Sequence, residues 1–490
     1  MATRRAPLAG RKMPEAYSAE WVRAPAVAGS WYPDDSAELS AEIDGLLAGV
    51  TPVDGEPVAL IVPHAGYRYS GAVAAHGFKQ LAGIPYEVAV VIAADHRPPL
   101  AQPVSVWAKG AFATPLGLVP VHAELAQALL SAESRLQFDP AAHAGEHPIE
   151  IELPFLQRVC PDCPIIPILM GRSDEKTVDA LSAALLQVLA GRRAVVIASS
   201  DLSHYPSASD ARRVDQITLA AIETGDTAQV RATLAAQESA GVPGLVTAAC
   251  SAGPIFVALR VAAGLGAETV TVLNYANSGD VDWSTRARVV GYGAVMAWAY
   301  TPPDLTPARR EALLTRARAA IGAFLADAGL PAEPPDDAAL LRRAGVFVTL
   351  RRRDWPDEPP GANLRGCIGH VAADTPLWEI VPAMAVSAAG QDWRFPPLTA
   401  AELDQVGIEI SVLSPMRRIT DIRQIEIGRH GLMLAQAGLR GLLLPEVAVT
   451  RGWNRRTFVE QTCHKAGLER DAWRTGAAMY TFSTVEFGEA

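Results

Sequence analysis

The stretch that decides the fold is Val58-Ala59-Leu60-Ile61-Val62-Pro63-His64-Ala65-Gly66-Tyr67. Its five consecutive apolar residues predict a short strand buried on both faces, and polar residues follow the strand directly. Strands that alternate with helices indicate an α/β domain with a mainly parallel sheet flanked by helices. Similar apolar runs occur at 88–93, 165–170, 194–198 and 269–273, and helical spacing occurs at 70–81, 175–189 and 253–263.

Composition and charge limit the class of protein. The chain has 490 residues, of which 49% are hydrophobic and 20% are charged, as in folded globular proteins. A formal net charge of −10 argues against a general binder of nucleic acid or anionic membranes. No apolar run is long enough to span a membrane, and five cysteines are too few for a disulfide framework. We therefore expect a soluble, cytoplasmic protein.

One segment predicts how the chain divides. The stretch Thr301-Pro302-Pro303-Asp304-Leu305-Thr306-Pro307 is rich in proline, which is typical of an extended linker. Seven of the ten histidines precede it, so the chemistry is expected in the first part. We predict a flexible leader at 1–21, a first domain at 22–300, a linker at 301–307 and a second domain at 308–490. A helix at 307–326, strands at 345–351 and 406–413, and a hairpin at 428–444 predict a smaller α+β fold for the second domain.

Candidate ligands follow the predicted strands. His64 follows the first strand, Asp95-His96-Arg97 follows the second, and Cys250 opens a predicted helix with Ser251 as its cap. Ligands gather at the carboxyl ends of parallel strands, and a thiol at a helix N-terminus is biased toward thiolate. Two imidazoles and one anion match non-haem iron sites, and a thiolate also suits copper or zinc. We predict that His64, His96 and Cys250 bind a metal.

Three further polar residues are candidates for catalysis. Asp201 and His204 follow the fourth predicted strand, and His147 opens what reads as a helix in Glu146-His147-Pro148-Ile149-Glu150. They would orient the ligands by hydrogen bonds or transfer protons. The residues alone leave a second interpretation open, in which the histidines are structural and Cys250 is buried and inert.

Several ordered segments of the first part form a recognisable set. They are Arg23 to Tyr32, Pro63-His64-Ala65-Gly66-Tyr67, Glu146-His147-Pro148-Ile149-Glu150, Ser200-Asp201-Leu202-Ser203-His204 and Leu273-Asn274-Tyr275-Ala276. With these segments, residues from about 22 to 300 resemble the Memo family. The resemblance implies a fold like that of the class III extradiol dioxygenases of the LigB type, iron binding and redox chemistry, with His64, His96 and Cys250 as the metal ligands. One departure is the charged residue on each side of His96.

The second part carries a different set of motifs. The main ones are Asn363-Leu364-Arg365-Gly366-Cys367-Ile368-Gly369 and Asp392-Trp393-Arg394-Phe395-Pro396-Pro397-Leu398. With them, residues from about 307 to 487 resemble the AMMECR family. The resemblance implies that proteins B and A of an AmmeMemoRadiSam system are fused here, with a radical S-adenosylmethionine protein as their partner.

The sequence supports competing functions. The first is a metal-dependent, dioxygenase-like oxidoreductase with Fe(II), acting on a small-molecule or peptide substrate. The alternative is a non-catalytic module that binds a peptide or ligand in the same pocket. Hydrolysis by a zinc-like metal is a third possibility.

Two further sequence patterns have a functional interpretation and a simpler structural one. Arg365, Cys367 and Arg394 could line a groove for an anionic or peptide partner, but a tight glycine-rich turn with structural arginines is the favoured interpretation. Cys160-Pro161-Asp162-Cys163 has the spacing of a zinc or redox pair, but no second pair accompanies it. Two chance cysteines in a loop are the simpler account of that spacing.

Overall fold

The chain folds into two units. The computed structural model describes residues 21–53, 55–97, 100, 103–300, 302–329, 335, 337–356 and 361–489. The first unit comprises the described residues up to Pro52 and Glu56–Ala299, and the second comprises Val53, Gly55 and the described residues from Tyr300 onward. Residues 1–20 of the predicted leader and Thr301 of the predicted linker lie outside the described residues, so the leader and the linker stay predictions.

The first unit is an α/β domain, as the sequence predicted. Its strands are β1 Val22–Arg23, β2 Glu56–Val62, β3 Val88–Ala94, β4 Val104–Val106, β5 Ala111–Thr114, β6 Gly117–Pro120, β7 Leu136–Gln137, β8 Ile165–Met170, β9 Ala194–Ser199, β10 Thr269–Asn277 and β11 Gly291–Ala299. Its helices are α1 Ser36–Ala48, α2 Tyr67–Phe78, α3 Ala123–Ala132, α4 Pro140–Ala144, α5 Leu153–Val159, α6 Glu175–Leu189, α7 Ala208–Ile222, α8 Thr227–Ser239, α9 Ala252–Gly264 and α10 Ser278–Val281.

The large sheet has a parallel centre and antiparallel neighbours. Its order is β10-β11-β2-β9-β3-β8-β4-β7, and β2, β9, β3 and β8 are paired in parallel. Strand β11 pairs antiparallel with both β2 and β10, and β4 pairs antiparallel with β8. Strand β7 pairs in parallel with β4, so four of the seven pairs between the described strands are parallel and the predicted mainly parallel sheet is confirmed, with antiparallel pairs at β11 and β4 that the sequence did not predict. Continuous apolar runs predict burial on both faces, but they do not encode strand direction.

Burial explains why the central strands were predictable. Every residue of β8 and β9 is buried, and in β3 only Ala94 is partly exposed. Helix α9 packs against β2, β3 and β9, while α2 packs against β2, β10 and β11. The helices that flank the sheet thus exclude water from the strands that lead to the candidate site.

The second unit contains two small sheets with separate cores. Helices α11 and α12 pack on the sheet β13-β12-β14-β19, and α13 and α14 pack on the sheet β15-β18-β16-β17. The helices are α11 Pro307–Leu325, α12 Leu377–Gly390, α13 Pro445–Thr450 and α14 Arg455–Lys465. The strands are β12 Gly345–Arg352, β13 Leu364–His370, β14 Val406–Leu413, β15 Arg417–Ile419, β16 Gly431–Gln436, β17 Leu439–Leu443, β18 Ala478–Phe482 and β19 Thr484–Gly488.

The predicted α+β elements of the second unit are confirmed. The opening helix and the strand at 406–413 have nearly the predicted bounds, and β16 and β17 form the predicted hairpin. Its turn holds Ala437 and Gly438 at φ values of 50° and 83°, as a tight two-residue turn between twisted strands requires. Among the helices that the structure describes, none combines the length and apolar character needed to cross a membrane.

Two units with their own cores should fold independently. We expect residues 21–300 and 301–490, produced as separate proteins, to be soluble and each to unfold in one cooperative denaturant transition. Circular dichroism and tryptophan fluorescence measure both transitions. If neither half unfolds cooperatively, each unit depends on the other and the division at 299–300 is not a domain boundary.

Candidate metal centre

The candidate residues meet at the carboxyl edge of the parallel strands. His64, Asp201 and His96 each lie two residues beyond the end of β2, β9 and β3, which are neighbours in the sheet. Cys250 lies two residues before the start of α9, which packs on these strands. The parallel pairing therefore brings together residues that are up to 186 positions apart in sequence.

Three ligand atoms lie close enough to share one cation. The side chains of His64, His96 and Cys250 each offer a nitrogen or sulfur atom, and these atoms lie within 4.8 Å of one another. The rings of His64 and His96 have centroids 5.0 Å apart and are nearly perpendicular, and Cys250 Sγ lies 3.3 Å from His64 Nε2. A second such group combines Cys250 with Asp201 and His204. The predicted ligand set is thus brought together, although metal binding itself stays a prediction.

Buried neighbours orient the imidazole of His64. Its Nδ1 lies 2.9 Å from Ser199 Oγ, which in turn lies 2.7 Å from the carbonyl oxygen of Pro148 and 2.8 Å from Glu152 Oε1. Burial raises the pKa of the Glu152 carboxyl well above its usual range. Because the Ser199 hydroxyl proton is directed toward the oxygens of Pro148 and Glu152, Ser199 Oγ accepts from His64 Nδ1. The His64 Nε2 lone pair is left for a metal.

The backbone orients His96 in the same way. Its Nδ1 lies 3.0 Å from the carbonyl oxygen of Ala94, to which it donates, and its backbone N–H donates to Glu146 Oε1 at 2.9 Å. Burial lowers the pKa values of His96 and His64, so both imidazoles are neutral at neutral pH. Neutral imidazoles with a free Nε2 are in the form that coordinates metals.

The surroundings of Cys250 differ from the sequence expectation. Burial, with the charge of Asp201 adding to it, raises the pKa of the Cys250 thiol to about 12. The start of α9 is thus too weak to produce a thiolate by itself, and the Ser251 side chain makes no capping hydrogen bond. The backbone N–H of Asp201 donates to Sγ at 3.2 Å, which stabilises negative charge there. A cation would supply the remaining stabilisation, because a coordinating thiol is deprotonated outright.

The candidate catalytic residues surround these ligands. The His147 ring has its centroid 5.5 Å from that of His64 and 5.2 Å from that of His96, and burial lowers its pKa to about 3. His204 Nε2 lies 3.9 Å from Asp201 Oδ2 and has no hydrogen-bond partner among the described residues. Burial raises the pKa of Asp201 to about 7 and lowers that of His204 to about 4. Asp201 Oδ1 accepts a hydrogen bond from the backbone N–H of His64 at 2.9 Å, so Asp201 orients His64 through the backbone and not through a ring nitrogen.

Sequence reasoning missed the carboxyls that support the site. Glu146 holds the backbone of His96, and Glu152 reaches His64 through Ser199. His147 was predicted to open a helix, but it precedes a short 3-10 turn at Glu150–Glu152, and α5 begins only at Leu153. The sequence did contain a signal for these carboxyls, because acidic residues alternate with apolar residues directly before an apolar helix.

Comparisons with known proteins assign the part of the chain that carries this site to a family. The model of the family described as Memo-like protein matches residues 23–296, which include every residue of the site. The chain belongs to the Memo family. A MEMO1 family protein of Methanobrevibacter smithii is 36% identical over 290 residues, covering 56% of this chain and 98% of the relative. One from Methanosarcina mazei is 37% identical over 278 residues, covering 56% and 98%.

The second unit matches another family. The AMMECR1 model matches residues 314–487, so the chain is a fusion of a Memo domain and an AMMECR1 domain. A crystal structure of an uncharacterized protein from Pyrococcus horikoshii is 39% identical and covers 36% of this chain and 90% of its own, with a TM-score of 0.34.

Two sequence motifs of the Memo domain meet at one buried carboxylate. Glu150 Oε1 accepts hydrogen bonds from Tyr32 Oη at 2.6 Å and from the backbone N–H of Val27 at 3.0 Å. Glu150 Oε2 accepts from the backbone N–H of Ala26 at 2.7 Å and forms an ion pair with Arg23. Glu150 therefore fixes the segment that carries His147 to the start of the domain.

In the AMMECR1 domain, the arginines of the predicted groove have structural partners. Arg365 is buried, pairs with Glu402 at 3.0 Å and donates to the carbonyl oxygen of Pro396. Arg394 pairs with Asp392 at 2.7 Å and donates to the carbonyl oxygen of Cys367 at 3.2 Å. These contacts favour the structural interpretation of both arginines.

Replacing Glu150 should destabilise the Memo domain. We expect Glu150→Gln to lower the free energy of unfolding by about 3 kcal/mol, since it leaves Arg23 buried without its counter-charge. Asp44→Asn is the matched control, because its pair with Arg158 is exposed and should contribute less than about 1 kcal/mol. Urea titration measures both, and equal losses would contradict the proposed importance of Glu150.

The Asp392–Arg394 pair predicts a pH-dependent stability. Hydrogen bonds from Arg394 lower the pKa of Asp392 to about 2, against about 3.9 in an unfolded chain. The stabilisation is therefore present above about pH 4 and is lost as the pH falls toward 2. We expect Asp392→Asn to cost about 1–2 kcal/mol at pH 7, discounted because Arg394 is partly exposed, with the cost shrinking below pH 4. Urea unfolding across this pH range measures the effect. If the loss of stability in Asp392→Asn does not change with pH, it comes from packing and not from the ion pair with Arg394.

Proposed function

We propose that the fusion protein is a non-haem iron-binding redox protein with a dioxygenase-like centre in its Memo domain. Fe(II) would be held by His64, His96 and Cys250. The observation that carries the proposal is the convergence of their ligand atoms within 4.8 Å, with both imidazoles held through Nδ1. When bound, the metal would supply redox chemistry at the open positions that three protein ligands leave.

The donor set argues for iron but tolerates other metals. Two neutral imidazoles and one anionic ligand on one side of a cation leave room for small molecules on the other side, as in non-haem iron oxygenases. The sulfur ligand also suits copper or zinc, so these two metals are the competing occupants.

The neighbouring residues can hold or move protons beside the ligands. Because burial lowers the pKa of His147 to about 3, its ring is neutral at neutral pH and can accept a hydrogen bond from a substrate, but it is too weak a base to take up the proton. Asp201, with a pKa raised to about 7, can hold a proton near His204 Nε2. We assign Asp201 and His204 the acid–base role, and His147 the role of positioning a substrate by a hydrogen bond.

The substrate is proposed to be a small molecule or a peptide-borne group. The Trp31 ring packs against the His147 ring at a tilt of 54°, with a centroid distance of 4.4 Å, and Trp31 is 37% exposed, so an aromatic surface lies beside His147. The same surface favours the second candidate function, which is non-catalytic binding of a peptide or ligand. The fusion to an AMMECR1 domain supports joint action with a radical S-adenosylmethionine protein.

Metal loading tests the centre directly. The full chain, purified without metal or a histidine tag, is loaded anaerobically with Fe(II), and bound metal is measured in wild type, Cys250→Ser, Cys160→Ser and Cys367→Ser. We expect only Cys250→Ser to lose metal, by well over the roughly 10–100-fold expected for the supporting change Asp201→Asn. Loading with Co(II) should give a sulfur-to-metal charge-transfer band that Cys250→Ser lacks.

Nitric oxide separates the two candidate functions. It binds Fe(II) only where coordination positions are open, and it then gives a characteristic electron paramagnetic resonance signal. We expect that signal in wild type. Equal metal in wild type and Cys250→Ser would refute the ligand set, whereas bound iron that gives no nitric oxide signal would favour the binding module.

A further inference from the structure

A pair of cysteines lies at the edge of the Memo sheet opposite the metal centre. Cys160 directly follows α5, and Cys163 comes two residues before β8, whose parallel neighbour β3 leads to the proposed ligand His96 at its other end. Neither cysteine belongs to any group of metal-binding side chains among the described residues. The pair therefore serves neither the proposed iron site nor a closed zinc site.

A tight turn holds the two cysteines together. The backbone N–H of Cys163 donates to the carbonyl oxygen of Cys160 at 3.1 Å, which closes a four-residue turn around Pro161 and Asp162. Such a turn keeps its first and last Cα atoms within about 7 Å, which overlaps the range that a disulfide spans. In this arrangement the Cys160 thiol donates to the carbonyl oxygen of Ile84 at 3.9 Å, and the Cys163 thiol donates to that of Pro164 at 3.7 Å. The backbone is thus already arranged for a bond between the two sulfur atoms.

The two thiols differ in exposure and in acidity. Cys160 is half-buried, whereas Cys163 is only 3% exposed. Interaction with the neighbouring Cys163 thiol lowers the pKa of Cys160 to about 7, with the backbone of Tyr86 assisting against burial and the charge of Asp162. The same interaction and burial raise the pKa of Cys163. One accessible thiolate beside one retained thiol is the division of roles that reactive Cys-X-X-Cys pairs use.

We propose that Cys160 and Cys163 form a reversible disulfide by exchange with a low-molecular-weight disulfide such as oxidised glutathione. The Cys160 thiolate attacks one sulfur of glutathione disulfide, forms a mixed disulfide and expels one glutathione thiolate. The Cys163 thiol then gives its proton to that thiolate and attacks the Cys160 sulfur, expelling the second glutathione as a thiolate that water protonates. Two electrons pass from the protein to glutathione disulfide, which leaves as two thiols.

The test uses the full-length protein in buffers of reduced and oxidised glutathione. After equilibration, free thiols are alkylated in acid, and each cysteine is located by peptide mass spectrometry. We expect wild type to form the Cys160–Cys163 disulfide as the oxidised fraction rises and to lose it when reduced glutathione is restored. Cys367→Ser and Cys463→Ser are matched controls and should behave like wild type.

Single variants identify which cysteine attacks. Cys163→Ala should stop at the mixed disulfide and retain one glutathione on Cys160, whereas Cys160→Ala should leave Cys163 as a free thiol. At pH 7, iodoacetamide should alkylate Cys160 about fivefold more slowly in Cys163→Ala, because the variant lacks the neighbouring thiol whose interaction favours the Cys160 thiolate. Circular dichroism confirms that both variants are folded.

Three results would overturn the proposal. The first is that both thiols persist in wild type at the highest oxidised fraction. The second is that glutathione is retained on Cys163 in Cys160→Ala as readily as on Cys160 in Cys163→Ala. The third is that zinc co-purifies with wild type and protects both thiols from alkylation until a chelator is added, which would make the pair a metal site.

Discussion

Parallel pairing of β2, β9 and β3 is the constraint on which the rest of the Memo domain depends. Because neighbouring parallel strands end at one edge, the residues that follow them meet regardless of their separation in sequence. His64, Asp201 and His96 occupy equivalent positions after the three strands. The pairing of the strands thus determines where the site lies, and the loops supply its remaining residues.

Burial at this edge determines the protonation of the site. Removing imidazoles from water favours their neutral form, and removing carboxyls from water favours their acid form. His64 and Glu152 show both effects within one hydrogen-bonded chain through Ser199. Burial at this edge therefore favours neutral imidazoles and protonated carboxyls at the place where a cation would bring positive charge.

The sequence predicted the strands, and which side chains meet at their ends, better than it predicted what surrounds them. Long apolar runs identify strands buried on both faces, and a histidine after such a run is visible in the sequence alone. The antiparallel direction of β11 was not predictable, because an apolar run predicts a buried strand but not the direction in which it crosses the sheet. The state of Cys250 was also inaccessible, since the sequence shows the helix start but not the burial that outweighs it. The roles of Ser199 and Glu152 depend on contacts between distant segments.

The two imidazoles of the centre differ in their access to solvent. His64 is buried beneath the sheet edge, whereas His96 keeps part of its surface exposed to solvent. A cation bound there would therefore arrive and leave past His96, and its contact with the buried His64 would be the last to break. In this arrangement His96 would govern the rate of exchange and His64 the choice of ion. Changes near His96 should thus alter how fast the centre fills, and changes near His64 should alter which ion it retains.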